Sequence, residues 1–407
     1  MISSKLKSSR QIPQITQSVI EITTKLAFQE YFFCFDYNDE WRILTWADTP
    51  KEHPQKKSSN PHRLDKSDTA SQMPFLSGWI VAIEYNKTPN NQKSYYCSCS
   101  LGFHYPSKKW YFYGTEEQEQ HLLEQCSLPP PLKKNSIPQS DHSSMTREDY
   151  ISAVQRIKEE IEKGNVYQIN LSYRIGPFSI PNPAHLWSKL VEENPSRHAF
   201  FWQTPSEIIL CNSPELFYRR QANQIESIPI KGTNPNINQA KNYVDLWTSP
   251  KEESELTMIV DMMRNDFGRI CQAGTVFVEG RKIRRCGDLL HSEQRIIGTL
   301  SPQETEENIL LACFPAASIT GTPKIAALKL IQELESTERR WYTGSMGFIS
   351  EHSSHSEWNV CIRCIIIQEN QGYIHVGAGI VYDSDPEQEW LETQAKAKAL
   401  RNSILGH

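Results

Sequence analysis

Apolar residues recur at helical spacing in the segment "TREDYISAVQRIKEEIEKG", residues 146–164, which predicts an amphipathic helix. Its apolar stripe comprises Tyr150, Val154, Ile157 and Ile161. Thr146, with Asp149 three residues later, predicts a capping box at the start of this helix. Gly164 predicts its end, because glycine adopts the backbone conformation that commonly follows the last helical turn.

The next segment, "NVYQINLSYRI", alternates strictly between apolar and polar residues, which predicts a strand. One face would present Tyr167, Ile169, Leu171 and Tyr173, and the other Gln168, Asn170, Ser172 and Arg174. Similar patterns predict further strands near 207–230 and 344–381, helices near 252–268, 303–313 and 323–335, and a last helix at the end of the chain. We expect residues 146–407 to form the catalytic domain.

Residues 1–145 have a different pattern, with short strand-like runs such as "SGWIVAIEY" separated by polar stretches. Residues 49–73 and 128–145 are rich in Pro, Ser, Lys and Asn, which is typical of loops or linkers. The sequence therefore predicts a β-rich N-terminal region with two polar loops and few candidate functional residues.

The composition argues against a nucleic-acid-binding, membrane-spanning or disulfide-rich protein. The chain has 407 residues, 38% of them hydrophobic, which suffices for a sizeable core. Its net charge of -5 gives no basic surface for nucleic acid, and no run approaches the length of a membrane span. Ten scattered cysteines fit reduced thiols in a cytoplasmic protein, and neither "CSC" nor "CIRC" favours a metal or redox site.

Two residues stand out in the strand-rich middle of the chain. Lys231 is the only charged residue of "SIPIKGTNPN", where a strand is expected to end in a Gly-Thr turn. The lysine would either reach solvent or act as a nucleophile. Glu215 follows Ser-Pro in "NSPELFYRR", where a surface glutamate at a strand end is the simpler interpretation.

Two predicted helices bring carboxylates next to candidate anion sites. Glu255 lies beside the apolar stripe of "KEESELTMIVDMMRNDFGRIC". In the last helix, Glu389, Glu392 and Lys396 share one face directly after "GAG", whose small residues let backbone amides approach an anion. Solvated acidic turns and surface ion pairs are the alternatives.

Two further features suggest anion binding. In "SITGTPK", Thr320 or Thr322 could cap a helix that starts at Pro323, and free amides there suit a carboxylate or phosphate. Arg363, in the middle of "CIRC", is a lone cation in a predicted apolar strand, and a buried arginine requires an anionic partner.

Taken together, these segments resemble the chorismate-utilising enzymes over residues 145–407. That family includes anthranilate synthase component I, aminodeoxychorismate synthase component I, isochorismate synthase and salicylate synthase. The motifs occur in family order as "NVYQINLS", "SPELF", "PIKGT", "ELTMIVDMMRNDFGRIC", "SITGTPK" and "GAGIVYDSDPEQEWLET". The resemblance implies an α+β chorismate-binding fold, with two packed antiparallel sheets drawn from both halves of the chain and helices outside.

The resemblance also implies roles for the candidate residues. Glu255 and Glu392 match the family glutamates that hold Mg2+, and we include Glu389 as a further candidate ligand. The groups expected to bind the substrate carboxylates are Arg363, Lys396, Gly377, Ala378 and Gly379, together with Thr320 and Gly321. Glu215 matches the general acid that protonates the departing 4-hydroxyl, and His291 of "HSEQR" is expected near that hydroxyl.

Two positions separate the reactions within the family. Isochorismate and salicylate synthases resemble one another in having a lysine base where this chain has Gln168, so water is disfavoured as the nucleophile. "PIKGT" resembles the aminodeoxychorismate synthases, whereas anthranilate synthases usually have "PIAGT". Lys231 is therefore expected to add covalently at C2 of chorismate before ammonia adds at C4. A separate glutamine amidotransferase subunit would supply ammonia. Anthranilate synthase and an inactive binding or scaffolding relative are the alternatives.

Overall fold

The computed structural model describes residues 10–27, 29–47, 73–127, 142–235, 239–286 and 289–405. Most of the two predicted polar loops therefore lies outside the described residues. Of 49–73 only Met73 is described, and of 128–145 only 142–145.

The described helices are α1 Val19–Leu26, α2 Glu116–Ser127, α3 Arg147–Glu162, α4 Pro183–Glu193, α5 Gln239–Thr248, α6 Pro250–Gly268, α7 Glu306–Cys313, α8 Lys324–Leu334 and α9 Pro386–Leu405. Over the described ranges, none of them combines the length and the apolar character that crossing a bilayer demands. Helices are predicted correctly near 252–268, 303–313 and 323–335, and at the end of the chain.

The described strands form three antiparallel sheets. The strands are β1 Arg10–Gln11, β2 Phe32–Tyr37, β3 Trp41–Trp46, β4 Gly78–Ile83, β5 Lys93–Cys97, β6 Ser100–His104, β7 Lys109–Tyr113, β8 Gln168–Ser179, β9 His198–Thr204, β10 Glu207–Ser213, β11 Leu216–Gln221, β12 Gln224–Ile228, β13 Ile230–Pro235, β14 Phe277–Val278, β15 Lys282–Cys286, β16 Leu289–Glu293, β17 Ile296–Thr299, β18 Gly321–Thr322, β19 Ser345–Ser350, β20 His355–Asn359, β21 Cys364–Gln368 and β22 Gln371–Ile380.

The two large sheets draw strands from both halves of the chain. The first has eleven strands in the order β1-β7-β6-β3-β2-β9-β10-β21-β22-β8-β18, and the second has eight, β14-β17-β12-β11-β20-β19-β4-β5. The third sheet, β13-β16-β15, was not predicted. The N-terminal strands β1 to β7 are shared between the large sheets, so they complete both.

Aromatic side chains fill the space between the large sheets. Phe35, on the first sheet, stacks on Phe200 at a centroid distance of 5.3 Å and on Phe348, from the second sheet, at 4.9 Å. Such contacts belong to one continuous buried cluster. Helices α3 and α6 cover the outer faces through further clusters, which include Val154 and Met263 respectively. The predicted α+β fold with two packed antiparallel sheets and outer helices is thus confirmed.

The local patterns predicted around residue 164 are present. The Thr146 and Asp149 side chains form the reciprocal capping box of α3, and Gly164 follows the helix with φ +74°. Strand β8 begins at Gln168, three residues after the start of the predicted segment at Asn165, and Tyr167 just before it is 57% exposed. Its remaining apolar face packs on α3, and its polar face turns inward.

Two strand predictions are wrong in detail. The Gly-Thr turn after Lys231 is instead a register shift within β13, where Gly232 has φ +68° and the strand continues to Pro235. Arg363 lies between β20 and β21 with φ +51°, so the predicted apolar strand is interrupted at this residue. Both irregularities turn a charged side chain toward the same cavity.

A buried ion-pair network joins the two large sheets. The Glu357 carboxylate on β20 accepts from Arg219 Nε at 2.6 Å and lies 2.9 Å from His198 Nδ1, on the first sheet. Burial by itself would raise the pKa of Glu357, but the Arg219 guanidinium and the His198 contact lower it to about 2. This carboxylate is therefore ionised in the folded protein at neutral pH.

We expect Glu357→Gln to lower the free energy of unfolding by about 3 kcal/mol at pH 7, because it leaves buried Arg219 without its main partner. The ordinary pKa of 4.5 is depressed by folding, so the contribution is complete above pH 4.5 and is lost as pH falls toward 2. Urea unfolding at a series of pH values from 7 to 2.5 measures this contribution to the free energy of unfolding. Asp261→Asn, in an exposed pair with Arg264, should change stability by less than about 0.5 kcal/mol. An equal loss in both variants would contradict this expectation.

Candidate active site

A cavity of about 130 Å³ lies between the first sheet, the small third sheet and helices α6 and α9. Its floor is formed by β22 and β8, where Gly379 pairs with Asn170 and Gly377 with Ser172. Gly377 and Gly379 line the cavity, whereas buried Ala378 is not part of its lining. The GAG segment thus contributes its two glycines to the floor.

Gly379 allows two polar side chains to approach the floor closely. A Cβ atom there would lie 2.8 Å from Gln168 Nε2 and 2.9 Å from Lys231 Nζ. Any larger residue would displace both groups. The amine of Lys231 therefore reaches the floor at the Gly379 position.

The third sheet brings Lys231 to the cavity. The side chain is 12% exposed, and its Nζ lies 3.5 Å from Glu255 Oε2. The left-handed conformation of Gly232 also leaves room for its neighbours, because a Cβ there would lie 2.8 Å from Glu252 Oε2 and 2.5 Å from Leu246 Cδ1. The register shift therefore positions the lysine directly over the carboxylates of α6.

Carboxylates from two helices face this end of the cavity. Glu255 and Glu252 lie on α6, and Glu392 lies on α9. The Lys396 ammonium, 2.7 Å from Glu392, lowers the pKa of that carboxylate against the opposing effect of its partial burial. Burial, and then the charges of Glu255 and Glu392, raise the pKa of Glu252. The three carboxylates are thus close enough to repel one another.

Lysine side chains partly neutralise this group. Lys396 Nζ also donates to the Gly377 carbonyl at 3.0 Å. Lys251, one helical turn before Glu255, lies 3.9 Å from its Oε1. Glu389, a candidate metal ligand, is not part of the cavity lining. Its Oε1 lies 3.1 Å from Lys251 Nζ and accepts from Ser384 Oγ at 2.6 Å.

Glu215 is 3% exposed at the cavity wall, between β10 and β11. Burial raises its pKa to about 7, against smaller lowering effects from Ser318, Lys231 and Arg363. A carboxyl group with this pKa holds a proton in about half of the molecules at neutral pH. It can therefore donate a proton there, as a general acid must.

His291 and Arg363 form a hydrogen-bonded pair beside Glu215. His291 Nδ1 donates to the Gly232 carbonyl at 2.8 Å, so its Nε2 accepts from the Arg363 guanidinium at 2.9 Å. Burial and then the charge of Arg363 lower the pKa of His291 to about 3. The imidazole is therefore neutral at pH 7, and it fixes the orientation of Arg363 toward the cavity.

Thr320 and Gly321 do not line the cavity. Thr320 is fully buried, and its hydroxyl donates to the Ala316 carbonyl at 3.0 Å. Gly321 pairs with Ile169 in the short strand β18. The predicted helix cap is also wrong, because Pro323 occupies the N-cap position of α8 and no side chain caps it. The irregular chain before Pro323 directs Thr320 into the protein.

Several lining residues were not predicted from the sequence. They are Asn170, Lys251, Glu252, Ser318, Tyr342 and His375. Lys251 and Glu252 lie one helical turn before Glu255, and His375 lies two residues before Gly377 on the same strand. These three positions could have been found by extending the helical and strand periodicities. Tyr342 and Ser318 lie in irregular segments without such a signal.

The donor set fits a hard divalent cation. Within the described ranges, no group of three or more His, Cys, Asp or Glu side chains is arranged to hold a metal ion alone. Mg2+, however, is commonly bound through one or two carboxylates together with water and substrate oxygens. Glu255 and Glu392 supply two such carboxylates to one cavity. The nine cysteines with described side chains are buried free thiols, and none of these nine lines the cavity.

Comparison with known families gives one match over most of the chain. The family described as chorismate binding enzyme matches residues 17–402. Anthranilate synthase component 1 of Saccharolobus solfataricus is 35% identical over 266 residues, covering 64% of this chain and 63% of that protein. Aminodeoxychorismate synthase component 1 of Bacillus subtilis is 33% identical over 296 residues, covering 71% and 62%. The match thus spans less than two thirds of each of these relatives.

Solved structures share the fold. Anthranilate synthase component I from Streptococcus pneumoniae superposes with a TM-score of 0.71 at 23% identity, covering 98% of this chain and 93% of that one. The menaquinone-specific isochorismate synthase MenF from Escherichia coli gives 0.77 at 20% identity, covering 99% and 96%. At these identities the likeness concerns architecture only.

Proposed function

Because this chain belongs to the chorismate binding enzyme family, we propose that it is the aminating component of an aminodeoxychorismate synthase. It would convert chorismate and ammonia to 4-amino-4-deoxychorismate, the precursor of para-aminobenzoate and folate. One observation supports this choice above the others, namely that the Lys231 amine lies on the cavity floor 3.5 Å from Glu255. An alanine here, as in the anthranilate synthases, would supply no nucleophile.

The first step uses Lys231 and Glu215. The Lys231 ammonium, paired with Glu255 in the free protein, first loses its proton to solvent. The resulting amine forms a bond to C2 of chorismate, the ring double bonds shift, and the C4–O bond breaks. Glu215 gives its proton to the departing hydroxyl, which leaves as water. The pKa of about 7 keeps a proton available on Glu215 for this purpose.

The second step returns the ring double bonds to their original positions. Ammonia adds at C4, the double bonds return, and the C2–N bond to Lys231 breaks, which releases the lysine. Glu215, now a carboxylate, takes a proton from the new ammonium group. Gln168 has no basic group to activate water, which favours ammonia over water as the incoming nucleophile. His291, neutral and bonded to Arg363, would orient the leaving hydroxyl.

Substrate binding requires groups for two carboxylates. Arg363 and Lys396 are the cations that we assign to them, with the amides of the floor glycines. Glu255 and Glu392 would hold Mg2+, which when bound would neutralise the ring carboxylate of the substrate. Glu389 would act indirectly, because its carboxylate is already paired with Lys251.

The relatives named component 1 suggest a second subunit for this chain. We propose a glutamine amidotransferase as the source of ammonia, with free ammonium ions as a substitute in its absence. The elimination of pyruvate that completes para-aminobenzoate would then require another enzyme.

Incubation with chorismate, Mg2+ and ammonium, followed by chromatography and mass spectrometry, tests the proposal. Accumulation of 4-amino-4-deoxychorismate is expected. Anthranilate as the product would identify an anthranilate synthase instead. Absence of turnover, in the presence of measurable chorismate binding, would indicate a binding or scaffolding relative.

Lys251→Met is expected to tighten Mg2+ binding about ten-fold. The Lys251 ammonium lies 3.1 Å from Glu389 and 3.9 Å from Glu255, so it competes with a cation for the same negative charge. Isothermal titration of the substrate-free protein with Mg2+ measures the affinity. Lys163→Met, which removes an exposed lysine paired with Glu160, is the control and should have no effect. Unchanged or weaker Mg2+ binding in Lys251→Met would contradict this competition.

A further inference from the structure

Three exposed apolar side chains lie at one end of the first sheet. They are Tyr167, Ile325 and Tyr382, which are 57%, 75% and 59% exposed and so are among the most exposed large apolar residues of the described chain. A single exposed apolar residue is common on soluble proteins and needs no explanation. Three from separate segments at one place form an apolar surface of the kind that marks an interaction site. These three residues are referred to below as the sheet-end patch.

The strand pairing places the patch residues at the same end of the sheet. On β8, Ile169 pairs with Ile380 of β22 on one side and with Gly321 of β18 on the other. The patch residues lie just beyond these positions, two residues before Ile169, two after Ile380 and four after Gly321. Because the strands are antiparallel, these displacements all run toward the same end. The Tyr167 N–H also donates to the Thr322 carbonyl at 2.7 Å, which ties two of the segments together.

The turn that carries Tyr382 is held firmly in place. The Val381 N–H donates to Ser384 Oγ at 3.1 Å, and Lys158 Nζ donates to the Ser384 carbonyl at 2.7 Å. Ser384 is fully buried, and its hydroxyl donates to Glu389 at 2.6 Å. An apolar surface that is fixed in this way loses little conformational entropy when a partner binds to it.

The patch adjoins the active-site cavity. Gly379, whose Cβ position lies 2.9 Å from Lys231 Nζ, is three residues from Tyr382, so the two Cα atoms are at most about 11 Å apart. Gln168, whose Nε2 lies 2.8 Å from the same Cβ position, is the next residue after Tyr167. The patch therefore lies beside the part of the cavity where, in the proposed reaction, ammonia replaces the lysine on the ring.

We propose that the sheet-end patch is the centre of the docking surface for the glutamine amidotransferase subunit. The inference rests on the proposed function in taking ammonia as the incoming nucleophile. Ammonia released into bulk water is largely protonated at neutral pH and is then not nucleophilic. A donor subunit bound at this end of the floor would instead deliver it next to the ring. A second copy of this chain would gain nothing from this location.

The composition of the patch and its surroundings also suits a protein partner. Two of its three residues are tyrosines, which are enriched among the residues that dominate binding energy in protein interfaces. Exposed polar residues surround the patch in the chain, namely Lys163, Asn165 and Asp383. An apolar centre with a polar rim is the usual anatomy of such an interface.

Ile325→Lys tests the assignment, because an unpaired charge buried in an apolar interface is costly. The probe is the glutamine amidotransferase subunit of the same organism, purified separately. Isothermal titration measures its Kd for this chain, and chorismate amination is measured with glutamine and with ammonium. We expect the Kd to rise at least about ten-fold, and the glutamine-dependent rate at limiting amidotransferase to fall in proportion. The ammonium-dependent rate should stay unchanged, because Ile325 does not line the cavity.

Two further variants separate docking from folding. Tyr382→Ser changes another segment of the patch and should also weaken amidotransferase binding, which serves if Ile325→Lys does not fold. Phe277→Lys is the matched control, because Phe277 is 67% exposed but lies on β14, at the edge of the second sheet. It should keep the wild-type Kd and both wild-type rates.

Three results would overturn the assignment. A wild-type Kd in folded Ile325→Lys and Tyr382→Ser would show that the amidotransferase docks elsewhere, and no binding to the wild type would show that it is not the partner. Self-association of the wild type that Ile325→Lys abolishes, measured by analytical ultracentrifugation, would identify a second copy as the occupant. Anthranilate as the product with ammonium would refute the proposed function without changing these dissociation constants, so the two failures are distinguishable.

Discussion

Lys231→Ala is expected to lower the rate of 4-amino-4-deoxychorismate formation by at least about 10³-fold while the protein stays folded. The proposed bond to C2 requires this amine. Lys251 and Lys396 are held more closely by carboxylates, at 3.1 Å from Glu389 and 2.7 Å from Glu392, than Lys231 is by Glu255 at 3.5 Å. The fold should be unaffected, because Lys231 lies at the cavity surface with one ion pair to Glu255. Product analysis with chorismate, Mg2+ and ammonium, together with thermal unfolding, measures both effects.

Two comparisons sharpen this experiment. Lys231→Arg keeps the positive charge but cannot supply a neutral amine, so it should be as inactive as Lys231→Ala. Lys189→Ala, which removes a half-exposed lysine paired with Glu193 outside the cavity lining, should retain wild-type turnover. Full production of 4-amino-4-deoxychorismate by Lys231→Ala would exclude the covalent mechanism.

Glu215→Gln is expected to lower kcat by about 10² to 10⁴-fold, because the departing hydroxyl then receives no proton. In the wild type, kcat/KM should fall as pH rises through about 7, where the acid of the free enzyme loses its proton. Steady-state rates from pH 5.5 to 9 measure this profile. A Glu215→Gln enzyme with an unchanged rate would show that another group donates the proton.

The same substitution should stabilise the protein at high pH. Folding raises the pKa of Glu215 from 4.5 to about 7, so the folded state binds this proton more tightly than the unfolded chain. The resulting stability is complete below pH 4.5 and is lost as pH rises through 7. Glu215→Gln stays neutral, so at pH 8.5 it should exceed the wild type by up to about 3 kcal/mol. Denaturant unfolding at pH 5 and 8.5 measures the difference. Glu193→Gln, at an exposed glutamate, is the control and should show no stability difference from the wild type at either pH.

The predictable parts of the fold are those that local sequence determines. The Thr146 capping box depends on a residue three positions away, and the alternation in β8 depends on burial of one face, so both were found. The shift at Gly232 depends instead on pairing with β16, some sixty residues later. No pattern within "PIKGT" distinguishes such a shift from a turn.

The candidate site likewise contains residues that local spacing predicts and residues whose role depends on contacts with distant segments. Glu389 and Glu392 lie three residues apart on one face of α9, so spacing alone could not separate them. The difference arises from Lys251 on another helix, which pairs with Glu389 and leaves Glu392 in the cavity lining. Thr320 was misplaced because the chain before α8 is irregular and turns its hydroxyl toward Ala316. Contacts between distant segments decided each case.

The small third sheet has a consequence for how such enzymes could diversify. It supplies Lys231 from β13 and His291 from β16, whereas the floor glycines and Glu392 belong to β22 and α9. The side chains proposed to react with the substrate and the floor on which its ring would lie thus belong to different structural elements. Substitutions confined to the third sheet could therefore convert one chemistry into another above an inherited floor, without a new protein architecture.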